Sequence, residues 1–338
     1  MELRREILSG RLLDPRQDFR EVEATVELRW DPLTGQTSRL LEPRGLMPTD
    51  GSDLRRMAEE SRPTCPFCRE RGFEMTPRLP DPLGAGPRIV RGEAVLFPNL
   101  YTYGTWNAVA VYSPDRHLLP VSDLSPRLVA DNLRAQVEWA RAVSRTDPGS
   151  VWISLNANHL VPSGSSLFHP HMQSLADPVP TTVQRQLADV PGERFRAYLD
   201  AEKSLGERYL GGGPHSDWFA AFAPIGPCEL RAFLPAVSSI AQLSDDMVEE
   251  LGKGLSASAG FYAELGYESF NLAMYGAPPG TEGYPLNLRM VVRSNPTSLY
   301  RSDATYLERL HWEGAVDIWP ETLAERARPH FAAWEGTG

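Results

Sequence analysis

Cysteine is scarce in this chain, with three in 338 residues. So small and odd a set cannot build a disulfide framework, which excludes the cross-linked secreted scaffolds. Long apolar runs are missing too, so no segment is expected to span a bilayer. The opening Met1-Glu-Leu-Arg-Arg-Glu6 is not followed by the apolar stretch of a secretory signal. A cytoplasmic protein with no membrane partner is the expectation. Nor is positive charge in excess: the net charge is −10 at neutral pH. That argues against nucleic acid as a partner and leaves room only for a local basic pocket for a phosphorylated small molecule.

What is present is an ordinary globular composition, 41% hydrophobic, in a chain long enough for two domains or one large one. Two of the cysteines form Cys65-Pro-Phe-Cys68. In a reducing compartment that spacing reads as a metal knuckle or a redox pair. No helical pattern begins at Cys65, as a thioredoxin-type site would require. A tetrahedral zinc needs two further ligands. His117, which ends Ser113-Pro-Asp-Arg-His117, and His169 are the candidates. Cys228 reads as a buried structural thiol.

The densest chemistry lies between Asn158 and Gln173. This stretch runs through Ser163-Gly-Ser-Ser166, a tight-loop composition with backbone donors and hydroxyls suited to a phosphate. It ends in His169-Pro-His-Met-Gln173. In an extended chain His169, His171 and Gln173 share a face, and Pro170 argues for an edge strand or a strand end. With His169 on a metal, His171 is left for chemistry. A neutral imidazole can attack phosphorus and carry a nucleotidyl group as a phosphoramidate, provided its other ring nitrogen donates to a fixed acceptor. Gln173 is placed to donate to a non-bridging oxygen, and Ser165 and Ser166 to stabilise charge on the phosphate. In Phe97-Pro-Asn99 an aromatic before a turn and an amide after it suit a base or a ribose.

Periodicity predicts an α+β chain. Residues 1–20 read as a helix or an arm. Val22–Trp30 reads as a strand, 31–35 as a turn, Ser38–Leu41 as a returning strand, 45–62 as loop with a short helix, and 76–88 as loop. Strands are expected at Ala94–Asn99, Ala108–Tyr112 and Ser150–Asn156, and a helix at Ser125–Ser144 whose Ser-Pro start suits an N-cap. The second half repeats this order. Strands are expected at Trp218–Pro224, Glu229–Leu234, Phe270–Tyr275 and Leu286–Arg293, a helix opens at Leu243-Ser244, and a last helix covers 320–334. The repeat suggests internal duplication, with Asn287 and Arg289 about where His169 and His171 lie in the first copy.

These motifs together resemble the galactose-1-phosphate uridylyltransferase family of the histidine triad superfamily. They are Glu27-Leu-Arg-Trp-Asp-Pro-Leu-Thr-Gly35, Cys65-Pro-Phe-Cys68, Glu74-Met-Thr-Pro77, Phe97-Pro-Asn99, Ser113-Pro-Asp-Arg-His117 and His169-Pro-His171-x-Gln173, in family order. The resemblance implies two histidine-triad-like halves, each a mainly antiparallel sheet with helices packed on it. The first, 1–178, is catalytic and carries the zinc knuckle; the second, 179–338, is degenerate. It implies ping-pong transfer of a nucleoside monophosphate, UMP in the family, between a nucleotide sugar and a sugar 1-phosphate. In that scheme His171 matches the nucleophile and Gln173 its phosphate-bonding neighbour. Asn158, Gly164, Ser165 and Ser166 match the phosphate loop. Arg44, Phe97 and Asn99 match nucleotide contacts, and Cys65, Cys68, His117 and His169 the zinc ligands. It implies a homodimer as well.

The chain departs from the family pattern in its second half. Met47 stands where a second nucleotide-side arginine is expected. Tyr275, Asn287 and Arg289 replace the histidines of a second metal site, so no second metal is expected. Asp303 and Ala315 fall near the places of the hexose-binding Lys and Gln. With the nucleophilic half kept and the sugar-reading half altered, a nucleotide-sugar or dinucleotide phosphorylase is the alternative activity. A non-catalytic zinc-stabilised nucleotide-binding protein is the other reading.

Overall fold

The computed structural model of the chain describes residues 1–42, 54–297 and 303–335. Arg44 and Met47 fall outside the described residues. Ten strands form one antiparallel sheet. In chain order they are β4 (Ile89–Arg91), β5 (Ala94–Pro98), β6 (Trp106–Val111), β7 (Trp152–His159), β8 (His171–Asp177), β9 (Tyr209–Gly212), β10 (Asp217–Ala220), β11 (Leu230–Leu234), β12 (Ser269–Tyr275) and β13 (Leu286–Arg293). Across the sheet the order is β4-β5-β6-β8-β7-β12-β13-β11-β10-β9. Counted inward from either edge the sequence of connections is the same, with β9, β10, β11, β13 and β12 standing to the second half as β4, β5, β6, β8 and β7 do to the first. The halves meet where β7 pairs with β12, Asn158 opposite Asn271.

Period-two patterning assigns the faces. On β13, Leu286, Leu288, Met290 and Val292 enter the main core, and Met172 and Ala176 on β8 do the same. That face is covered by α2 (Pro126–Thr146), α5 (Asp245–Glu264) and α6 (Pro320–Glu335). Ser125 caps α2 by accepting from the Leu128 N–H, and Ser244 caps α5 by accepting from the Met247 N–H, each satisfying a donor the first turn leaves open. The two helices cross closely at Gly252, where an added Cβ would meet the Pro126 carbonyl oxygen at 2.7 Å.

The opposite face carries the polar residues of the same strands, including His171, Gln173, Asn271 and Arg293. Over the second half it is covered by α3 (Thr182–Ala188), α4 (Gly192–Leu205) and a second core around Phe195, Tyr198, Phe219 and Phe233. A separate small sheet, β1 (Arg5–Asp14), β2 (Arg20–Trp30), β3 (Thr37–Leu40) and β14 (Gly314–Val316), joins the two ends of the chain; β14 runs parallel to β3.

Several expectations need correction. Residues 5–14, read as helix or arm, form a strand paired with β2 along its whole length. Leu8 and Leu12 lie opposite Val26 and Val22, whereas Ile7 and Leu13 fall on the other face of the strand and are exposed, so no one-sided apolar pattern marks this strand. The strand expected to run to Pro224 stops at Ala220. The short elements β9, β14, α3 and α4 had no anticipated counterpart. In α3, Thr181 and Gln184 form a capping box, a two-residue signature that is easily passed over in a polar stretch.

Candidate active site and metal centre

Four buried side chains converge beside β8. Cys65 and Cys68 follow α1 (Leu54–Ser61), His117 follows β6, and His169 precedes Pro170. Their ligand atoms all lie within 4.8 Å of one another. Cys65 Sγ is 3.6 Å and Cys68 Sγ 3.5 Å from His169 Nδ1, and Cys68 Sγ is 3.3 Å from His117 Nδ1. A tetrahedral zinc with ordinary Zn–S and Zn–N bonds sets sulfur and nitrogen about 3.6 Å apart. The second ring nitrogens are also engaged. His169 Nε2 lies 2.9 Å from the Ser113 carbonyl oxygen and His117 Nε2 lies 3.0 Å from Ser61 Oγ. Donation from His169 Nε2 to the carbonyl leaves Nδ1 with its lone pair towards the cysteines, the tautomer a metal requires. Burial lowers the pKa of both imidazoles, His169 to about 4, which keeps them neutral. Burial and the neighbouring Cys65 push the Cys68 thiol up to about 12. A divalent cation reverses that balance by holding the thiolates. The cluster can therefore bind a metal ion, and its donor set fits zinc.

His171 opens β8. His169 lies before the strand, so the alternation expected to put three polar side chains on one face holds for His171 and Gln173 only. Pro170 stands at a strand end, as expected, in the interior of the sheet. His171 is 5% exposed. Its Nδ1 is 2.8 Å from the His169 carbonyl oxygen. That acceptor places the proton on Nδ1 and leaves the lone pair on Nε2. Burial lowers the pKa, and the bond to the His169 carbonyl opposes it only in part. Gln173 Nε2 is 3.4 Å from His171 Nε2, and Asn99 Nδ2 is 3.5 Å from Gln173 Oε1. Asn99 thus turns the Gln173 amide so that its N–H side faces His171 Nε2.

A cavity of about 280 Å³ opens on this pair and is lined by Phe67, Met75, Thr76, Phe97, Asn99, Tyr101, Tyr103, Ser166, Leu167, His171 and Gln173, among others. Phe97 and Phe67 meet with ring centroids 5.1 Å apart, and the Phe67 ring stands edge-on to His171 at 5.5 Å. An apolar wall with a few convergent polar groups is the usual make-up of a small-molecule site. The loop above the cavity turns at Gly164, whose φ of +96° favours glycine. Ser166 lies at the cavity, whereas Ser165 is buried and donates to the Leu167 carbonyl at 2.6 Å. Of the two hydroxyls expected to face a phosphate, only that of Ser166 lies at the cavity, because Ser165 closes the turn.

Asn158 stands at the base of this loop, and its side-chain oxygen accepts from Asn271 Nδ2 at 2.7 Å. Asn271 in turn accepts from Arg293 at 2.7 Å. Sequence reading did not single out either residue for the site. The available signal was the alternation of Phe270-Asn-Leu-Ala-Met-Tyr275, which puts Asn271 on the polar face. Phe67, inside the Cys-x-x-Cys knuckle, was also missed as a cavity wall.

Arg289, one of the positions read as replacing a second set of metal-binding histidines, stands in a buried ion-pair cluster. Arg231 Nη1 and Arg289 Nη2 reach Asp31 Oδ2 at 2.8 and 3.1 Å, and all three residues are buried. Burial alone would raise the Asp31 pKa, but the two guanidinium groups hold it down at about 2.

No protein-family model matches the chain. An uncharacterised protein of Archaeoglobus fulgidus is 30% identical over 335 residues, which span 97% of this chain and 98% of that protein. Among solved structures, an ADP-glucose phosphorylase from Arabidopsis thaliana with bound ADP-glucose aligns at TM-score 0.66 and 20% identity. A GalT-like protein from the same plant aligns at 0.64 and 18%, and a uridylyltransferase at 0.59 and 19%. Each alignment covers 90% of this chain and 98% of the other. At these identities the likeness establishes the fold.

Proposed function

The chain belongs to one family with the Archaeoglobus fulgidus protein and is a divergent member of the galactose-1-phosphate uridylyltransferase group by fold, and from that premise we propose that it transfers a nucleoside monophosphate from a nucleotide sugar through a covalent intermediate on His171. One observation carries the reading: the His169 carbonyl holds the His171 Nδ1 proton, so a buried and neutral Nε2 faces a nucleotide-sized cavity beside the Gln173 amide.

In this reading His171 Nε2 attacks the α-phosphorus. The P–N bond forms as the bond to the sugar phosphate oxygen breaks, and the sugar 1-phosphate departs with the electron pair. An acceptor phosphate then attacks the same phosphorus and the P–N bond breaks, returning the lone pair to Nε2. Gln173, Asn158, Ser166 and the backbone at Gly164 surround the charge that builds on the non-bridging oxygens. Phe97 and Asn99 hold the nucleoside. Zinc on Cys65, Cys68, His117 and His169 would supply no chemistry beyond fixing the chain at His169. That chain includes the carbonyl that sets the His171 tautomer. At Arg289 and Arg231 two guanidinium charges oppose the binding of a second cation.

A sugar 1-phosphate acceptor makes the protein a transferase, and inorganic phosphate makes it a phosphorylase. The phosphorylase reading draws support from Asp303, an anion near the place of the family's hexose-binding Lys, and from the likeness to an ADP-glucose phosphorylase. The test is intact-protein mass after incubation with ADP- and UDP-sugars, quenched without acid because phosphoramidates are acid-labile. We expect a gain of one nucleoside monophosphate, absent in His171→Ala. Discharge by phosphate or by a sugar 1-phosphate then identifies the acceptor. A wild-type protein that gains no mass from any donor would refute the covalent route.

A further inference from the structure

The catalytic face holds a chain of polar contacts that begins far from the nucleophile and ends on the phosphate loop. Asp303, which follows β13 in sequence, grips the Arg293 guanidinium: both carboxylate oxygens lie 3.0 Å from Arg293 Nε, and Oδ1 also accepts from Nη2. The Ser294 backbone N–H fixes the same carboxylate at 2.7 Å. Arg293 Nη1 donates to Asn271 Oδ1 at 2.7 Å. Asn271 Nδ2 donates to Asn158 Oδ1 at 2.7 Å and to the Ser163 carbonyl oxygen at 2.9 Å. The contacts cross three neighbouring strands, β13, β12 and β7, and the next strand is β8 with His171.

The chemistry of the donors makes this chain directional. A guanidinium has no acceptor atom, so the Asn271 atom that faces Arg293 must be the oxygen. Its nitrogen is thereby committed to Asn158 and to the Ser163 carbonyl. Asn158 then has to offer its own oxygen to Asn271, which turns its N–H side away. That side lies beside the loop, for a Cβ built on Gly164 would stand 3.8 Å from Asn158 Nδ2. Free asparagine amides flip easily, and an amide presenting oxygen to a phosphate would repel it. Here the orientation of one active-site amide is determined by an arginine two strands away.

We propose that Arg293 and Asn271 are positioning residues, which act by fixing the Asn158 amide with its N–H directed at the phosphate that His171 attacks. The inference rests on the nucleotidyl-transfer reading and adds to it the means by which the second half of the chain, with Asn287 and Arg289 about where His169 and His171 lie in the first, still serves the reaction. Loss of one directly bonded donor at such a site costs on the order of 10²–10³ in rate. A donor left in place but free to flip costs less, about tenfold to a hundredfold.

The experiment is a double-mutant cycle on the single-turnover rate of His171 nucleotidylation, with nucleoside monophosphate affinity measured by calorimetry on the same proteins. Arg293→Met is expected to slow nucleotidylation tenfold or more. Arg293→Lys, which also only donates, should recover much of that loss. In an Asn158→Ala background Arg293→Met should add less than about twofold, since residues acting through one group are not additive. If Arg293→Met fails to fold, Asn271→Asp replaces it. The carboxylate introduced there keeps the acceptor for Arg293 and removes the donor to Asn158, and it should slow the wild-type background and not the Asn158→Ala one. A wild type that labels while Arg293→Met and Asn271→Asp label equally fast overturns the inference alone, as do losses that add fully to that of Asn158→Ala. A wild type that neither labels nor binds nucleotide overturns the functional reading and this inference with it. If it binds without labelling, the same cycle is read in affinity, and additivity there overturns the inference.

Discussion

A histidine that attacks phosphorus is useful only while neutral, and the setting of His171 secures that. Burial disfavours the imidazolium and pulls the pKa below the ordinary value of about 6.5. The folded protein therefore protonates Nε2 only below that range. The nucleotidylation rate should be flat from about pH 8 down to about pH 6.5 and fall only at more acid values, read by single-turnover mass labelling. A midpoint above about 6.5 would contradict the role given to burial. Asp31 invites a residue-scale prediction of the opposite kind. Its pKa is depressed, to about 2, so its contribution to stability is full above the unfolded value of about 3.9 and is lost as the pH falls towards 2. Asp31→Asn leaves Arg231 and Arg289 buried without their shared counter-charge. It should cost roughly 3–5 kcal/mol in denaturant unfolding, and a loss under ~1 kcal/mol would show that the buried Glu229 carboxylate, 3.6 Å from Arg289 Nε, suffices.

At the scale of elements, the Cys-x-x-Cys knuckle, the turn after β6 and the approach to β8 come together at one point. The Arg69 N–H donates to the Pro114 carbonyl at 3.0 Å, the His117 ring stacks on Phe168, and a small cluster of Phe67, Val95, Phe97, Val109 and Val111 packs around the two cysteines. The purified protein should carry about one zinc per chain. Strong chelation or Cys65→Ser should lower the thermal midpoint by several degrees and only then slow labelling, because His171 itself binds no metal. Elemental analysis and a melting curve check both halves of that statement, and an unchanged midpoint in metal-free protein would refute it. These elements were also the legible part of the sequence. Cys65, Cys68, His117 and His169 could be read because metal ligands are few in kind and fixed in spacing, and His171 because its alternation with Gln173 is local. Asn271 and Arg293 could not be read in the same way. Their importance depends on which strands lie side by side, and β7 meeting β12 at the seam of two repeats is decided by packing between segments far apart in the chain. β1 was misread for a related reason: its apolar residues are divided between both faces, and only its pairing with β2 marks it as a strand.

For the whole molecule, the continuous sheet puts side chains of the second half, Asn271 and Arg293, in contact with the half that carries His171. The centre of the sheet is the boundary between the repeats, so the catalytic face is bordered on one side by β6 and on the other by β12 and β13. The helix layer of α2, α5 and α6 runs across that boundary and makes the two halves one body. The small sheet adds a different constraint. Its strands β1, β2 and β3 come from the opening of the chain, and its last strand, β14, from near the other terminus. During synthesis the first three leave the ribosome long before the fourth exists, so the N-terminal ribbon must wait with an open edge until Gly314–Val316 have been made. Folding of this chain is thus closed by its last-made strand, and a ribosome that stalls late releases a product whose first-made segment is still an unpaired edge.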